Sequence, residues 1–84
     1  MSTLWITEYR GQAVEPGMNS AVPFGREAVL HEFGEMTRIV RLVADEPCLI
    51  NFGGADGNPT YLPADRPEIF QVVRGGMITV LGEF

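Results

Sequence analysis

Thr37-Arg38-Ile39-Val40-Arg41-Leu42-Val43-Ala44-Asp45-Glu46-Pro47-Cys48-Leu49-Ile50-Asn51-Phe52 reads as two strands around one turn. Thr37 to Ala44 is apolar apart from one Thr and two Arg, and predicts a central strand. Asp45-Glu46-Pro47 ends it. Cys48, Ile50 and Phe52 then alternate with Leu49 and Asn51, which puts one apolar face at period two on a half-buried strand. Cys48 belongs to that face and is expected to fill core.

The same pattern extends in both directions. Thr3 to Tyr9 is dense in β-branched and aromatic residues and is closed by Arg10-Gly11, as a strand and turn would be. Gln12 to Gly25 holds Pro16-Gly17, Asn19-Ser20, Pro23 and Gly25, so residues 12–25 are expected to be a loop or extended arm. Glu27 to His31 is preferred as a strand over a short helix, because Gly34 and the missing N-cap weaken the helix. Downstream come the turn cluster Gly53 to Pro59 and an irregular stretch from Leu62 to Pro67 with two prolines. Glu68 to Val73 and Met77 to Leu81 read as strands joined by a hairpin at Arg74-Gly75-Gly76. About six short strands with regular turn signals predict an all-β single domain, a small sandwich or barrel with a Pro/Gly-rich arm.

Eighty-four residues make one domain, with little room for a deep cleft. Six basic against eleven acidic residues give a net charge of -5, which opposes attraction to phosphate backbones and anionic lipid. Neither nucleic acid nor a membrane is therefore an expected partner. No run approaches the length of a membrane span. The opening residues lack the basic segment and apolar run of a signal peptide, so the expected place is a cytosol or a particle assembled there. A lone cysteine excludes an internal disulfide. All six basic residues are Arg, whose planar fork tolerates burial in interfaces better than Lys.

The residues for catalysis are sparse. His31 is the one histidine and Cys48 the one thiol, so a zinc site of several His or Cys ligands cannot be built within one chain. His31-Glu32 with Glu35 lacks the second histidine of a metalloprotease helix. A Cys48–His31 nucleophile pair would need a thiol drawn from an apolar strand, where thiols are inert. The Gly53 to Gly57 cluster with Asp56 lacks the Lys of a phosphate loop and the spaced acids of a calcium loop. Asp65-Arg66-Pro67-Glu68 reads as a surface ion cluster. No cofactor, metal or catalytic residue is assigned, and no enzymatic activity is expected. Eight aromatics are generous for so small an interior. Phe24 and Phe84, with Arg26, Arg38 and Arg41, are the candidate partner-interface residues.

The run Thr37 to Cys48, followed by Ile50, Phe52-Gly53, Asn58-Pro59-Thr60, Leu62-Pro63-Ala64, Glu68, Phe70, Val73 and Gly75, resembles small proteins of tailed-phage and prophage structural gene clusters. In these an Arg-bearing apolar strand, an acid-Cys turn, a Phe-Gly ending, an Asn-Pro and a closing Glu-x-Phe strand occur in that order. The opening Thr3 to Tyr9 is similar to their usual start, whereas residues 12–36 depart from the pattern. The resemblance implies a virion component without catalytic residues, best fitted to decorate or cement the capsid. The implied partners are the major capsid protein and further copies of the chain, as a trimer or other small homo-oligomer. The implied location is the capsid surface of a virion assembled in the bacterial host cytoplasm. Two alternatives stand beside it: a phage neck or tail structural protein, and a small cytosolic ligand- or peptide-binding β module.

Overall fold

The computed structural model describes residues 2–10, 17–52, 59–73 and 76–82. They form eight strands: β1 (Ser2–Tyr9), β2 (Met18–Phe24), β3 (Val29–Glu32), β4 (Ile39–Ala44), β5 (Cys48–Phe52), β6 (Thr60–Leu62), β7 (Glu68–Gln71) and β8 (Met77–Gly82). Sheet A runs β2-β1-β4-β7 and sheet B runs β3-β8-β5-β6, with every neighbouring pair of strands antiparallel. The two sheets form a β-sandwich, one of the two all-β forms the sequence predicted, with eight strands in place of about six.

The strand order has a definite topology. If β1 is counted after β8, sheet A reads 1-8-3-6 and sheet B reads 2-7-4-5, the order of an eight-stranded jelly roll. The strand that closes a jelly roll stands first in this chain. It lies between β2 and β4, where it pairs Leu4 with Val22 and Ala44, and Ile6 with Ser20 and Leu42.

Parity along each strand decides what is buried. Leu4 and Ile6 of β1, Val40, Leu42 and Ala44 of β4, Cys48 and Ile50 of β5, and Ile78 and Val80 of β8 all have no solvent exposure. These side chains meet between the sheets, and each large one contributes about 1.5–3 kcal/mol by leaving water. Cys48 is buried within this core. The β6–β7 connection crosses from sheet B to sheet A and stitches Ala64 to Ala44, with the Asp65 amide donating to the Ala44 carbonyl at 2.8 Å. Asp65 makes this corner at φ 58°, a left-handed conformation that Asp tolerates better than most side chains.

Several expectations are corrected. The expected arm contains a strand: Met18 to Phe24 pairs along β1 from Glu8 to Ser2, while residues 12–16 lie outside the described residues. Pro23 fits because β2 is an edge strand, where a missing amide hydrogen costs no ladder bond. Phe24, a candidate for docking on a neighbour, is 2% exposed and belongs to the chain's own core, because its parity on β2 matches that of Val22. Leu62, expected in an irregular stretch, ends β6 opposite Cys48. Arg74-Gly75-Gly76 does not close a hairpin, since β7 pairs with β4 in sheet A and β8 with β3 and β5 in sheet B. The strand preferred over a helix for Glu27 to His31 is present as β3, followed by a turn in which the Thr37 amide donates to the Gly34 carbonyl.

The burial of Phe24 is directly testable. Phe24→Ala is expected to cost about 3–5 kcal/mol through lost contacts and a residual cavity. A urea titration of the isolated chain reads this as a lower midpoint, and an unchanged midpoint would return Phe24 to the surface.

Candidate functional site

The connections β3–β4 and β7–β8 leave the sandwich at the same end as the Tyr9 terminus of β1. Here β1 places Glu8 on the inward parity, following Leu4 and Ile6, so a carboxylate enters the core with 6% exposure. It is fully engaged. Oε1 accepts from the Gly34 amide at 2.8 Å and from the Thr37 hydroxyl at 2.7 Å, and Oε2 stands 3.2 Å from His31 Nε2. Glu8 comes from sheet A and His31 from sheet B, so this cluster clamps the two sheets and the turn between β3 and β4.

Burial alone pushes the Glu8 carboxyl up, but the Gly34 amide, the Thr37 hydroxyl and His31 together outweigh it and hold it below the ordinary glutamate value of 4.5. Its acceptor sites are committed to the fold. A general base would first have to break those bonds, so the chemistry of the cluster is structural support.

Two depressions flank the cluster at this end. One, of about 520 Å³, is bordered by Glu8, Arg10, Met18, Met36 and Thr37. The other, of about 320 Å³, is apolar and lies among Phe33, Phe52, Val72, Val73 and Met77. A chain of rings backs it, with centroids 5.8 Å apart for His31–Phe33, 6.4 Å for Phe33–Phe52 and 5.1 Å for Phe52–Phe70. These rings carry the packing from sheet B to Phe70 on sheet A.

The structure does not gather the sequence-derived interface residues. Phe24 is core, Arg26 is exposed after β2, and Arg38 is exposed at the opposite end beside Tyr9, to whose carbonyl its amide donates. Arg41 stands exposed on the outer face of sheet A, and Phe84 lies outside the described residues. The Gly53 to Asn58 part of the turn cluster also lies outside them. His31 faces Ile78 and Cys48 faces Gly82, four residues apart along β8, or about 13 Å. The two cannot form a nucleophile pair. Among the described residues, no group of three His, Cys, Asp or Glu side chains could hold a metal ion.

The broad outer faces of the sheets were not picked out from the sequence. On sheet A the outward parity presents Trp5 (47% exposed), Tyr9, Ile39, Val43 and Ile69 (68% exposed), with Arg41 the one charged residue at an outward strand position. On sheet B it presents Leu30, Leu49, Tyr61, Met77 and Leu81, with Glu32 the one charged residue. The signal was available at the odd positions of Thr3 to Tyr9 and of Ile39 to Val43, once their even neighbours are taken as core. No protein-family model matches the chain, and no curated protein or solved structure matches it.

The Glu8 cluster generates a pH prediction. Because the folded carboxyl sits below its ordinary value, the unfolded chain takes up the proton first as pH falls, and folding stability drops with it. The contribution is fully present above pH 4.5 and is lost as pH falls below that value through the folded-state pKa. Glu8→Gln is expected to lose about 1–3 kcal/mol at neutral pH and to flatten the decline below 4.5, as read by thermal melts across pH. An equally steep acid decline in the variant would place the titrating group elsewhere.

Proposed function

We propose that this chain is a non-enzymatic structural protein of a bacteriophage particle, a capsid decoration or cement protein that binds the outer surface of the major capsid protein lattice and stabilises the head. The observation that carries this reading is the placement of charge. In a chain with seventeen Asp, Glu and Arg residues, the outward strand positions of the two sheets hold one charge each. Broad faces with one charge each, Trp5 and Arg41 on the inner strands of one and Tyr61 on the other, have the composition of interfaces, not of free surface.

Three further features support it. The jelly-roll order is one that viral capsid proteins use, although lectins and cupins share it, so topology is no more than support. The buried carboxylate at the open end is spent on the fold. The sequence resembles phage virion proteins over residues 37–76 and the first strand. A capsid repeats the same junction many times, and a small module that bridges it adds buried area at each copy. Small size is then no handicap, because the shell supplies surface against which the module rests.

The test is copy number. In phage particles purified from cells that carry this sequence, quantitative mass spectrometry against the major shell protein is expected to give a ratio near one to one. A few copies per particle would move the chain to the neck or tail. Absence from the particle would overturn the virion reading and favour a free binding module.

A further inference from the structure

The thin sandwich, with Cα extents of 35 × 27 × 16 Å, has two broad faces, and both are short of charge. On sheet A the cross-strand row Ala21–Trp5–Val43 lies next to Asn19–Thr7–Arg41–Ile69. Arg41 is on β4, between β1 and β7, and so stands within the face and not at its border. On sheet B the row Leu81–Leu49–Tyr61 lies next to Leu30–Thr79–Asn51. Glu32, opposite Met77, is on the edge strand β3.

We propose that the chain associates with further copies of itself head to tail, the outer face of sheet A of one copy seated on the outer face of sheet B of the next, with Arg41 set against Glu32 of its neighbour. This deepens the structural-protein reading and rests on it for its biological use.

Charge and area both select this arrangement. Pairing face A with a second face A about a two-fold axis brings two Arg41 guanidinium groups together in the middle of the contact, where like charges are unfavourable. Pairing face B with face B leaves Trp5, Ile69 and the rest of face A in water. The heterologous contact covers both faces with a single kind of interface and sets the one positive charge against the one negative charge. Four strands at about 4.8 Å spacing and some five residues in length present roughly 300 Å². That is under half of what one partner gives to a standard stable interface, near 800 Å², so each contact is weak. A head-to-tail contact leaves one face of each kind uncovered at the ends, so assembly continues past the dimer with rising concentration, into a ring or an open stack as the rotation between copies dictates.

Sedimentation of the full chain from micromolar to near-millimolar concentration tests this, with fluorescence of Trp5, the one tryptophan, as a second reading on face A. The wild type is expected to exceed dimer mass with rising concentration while Trp5 emission shifts to the blue. Arg41→Glu and Glu32→Arg are each expected to weaken association at least tenfold. An equal mixture of the two variants is expected to associate again, since every contact in an alternating assembly is then complementary. Both side chains are exposed, and circular dichroism with melting temperature verifies that each variant folds. A wild type that stays monomeric throughout would overturn the proposal. So would association that either single variant leaves unchanged, since the contact would then not set Arg41 against Glu32. A chain that is monomeric in solution yet abundant on particles would overturn this inference and leave the decoration reading standing. An assembling chain that is absent from particles would do the reverse.

Discussion

The Glu8 carboxylate is the constraint around which one end of the sandwich is arranged. It occupies an inward position on β1, where Leu4 and Ile6 before it are core, and a charge there is tolerable only with partners. Those partners come from far along the chain: the Gly34 amide, the Thr37 hydroxyl and His31 on the other sheet. Their convergence sets where β3 ends, how the β3–β4 turn is folded and how far β4 can run beside β1. At the other end, the corresponding stitch is made by the backbone, with Ala64 and Asp65 against Ala44.

Small size shapes everything else. Two four-stranded sheets must bury enough apolar surface from a short chain, so most of the inward positions are given to aliphatic side chains and aromatic rings. Connections that cross from one sheet to the other take the charges, and they lie at the two ends. Apart from Arg41 and Glu32, the outer faces are left with uncharged side chains. A solvated sheet would carry a mixture of charges on its outer face. The proposed association rests on their scarcity here, which follows from the same parity that builds the core.

Local patterning made part of this legible. The alternation of Cys48, Ile50 and Phe52 with Leu49 and Asn51 marks β5 and its buried side without reference to any other residue. The apolar run up to Ala44 likewise marks β4 as a central strand, which its place between β1 and β7 bears out. Pro23 and the surrounding turn-forming residues hid β2, because Met18 to Phe24 is made a strand by β1 and not by its own propensity. The same composition made Phe24 look like an arm residue, when its position two residues after Val22 places it in the core. Arg74-Gly75-Gly76 has the composition of a hairpin turn, but composition carries no information about which sheet the next strand joins. Glu8 gave no sign in the sequence, as one acid in an alternating strand is ordinarily on the wet side. Of the sequence-derived interface candidates, Arg41 lies on an outer face, while Trp5, Ile69 and Tyr61 became visible as a surface only once the sheets were assembled.

What the sequence by itself determined is the all-β class and the period-two division of β5 into two sides. These depend on side-chain alternation between neighbours in the chain, which is a local property. Tertiary structure alone decided that β7 and β8 part to different sheets, that β1 takes the place of a jelly roll's closing strand, and that Glu8 meets His31. Each of these is a contact between residues far apart in sequence, selected by the burial of all strands at once, and no window of the chain contains both partners.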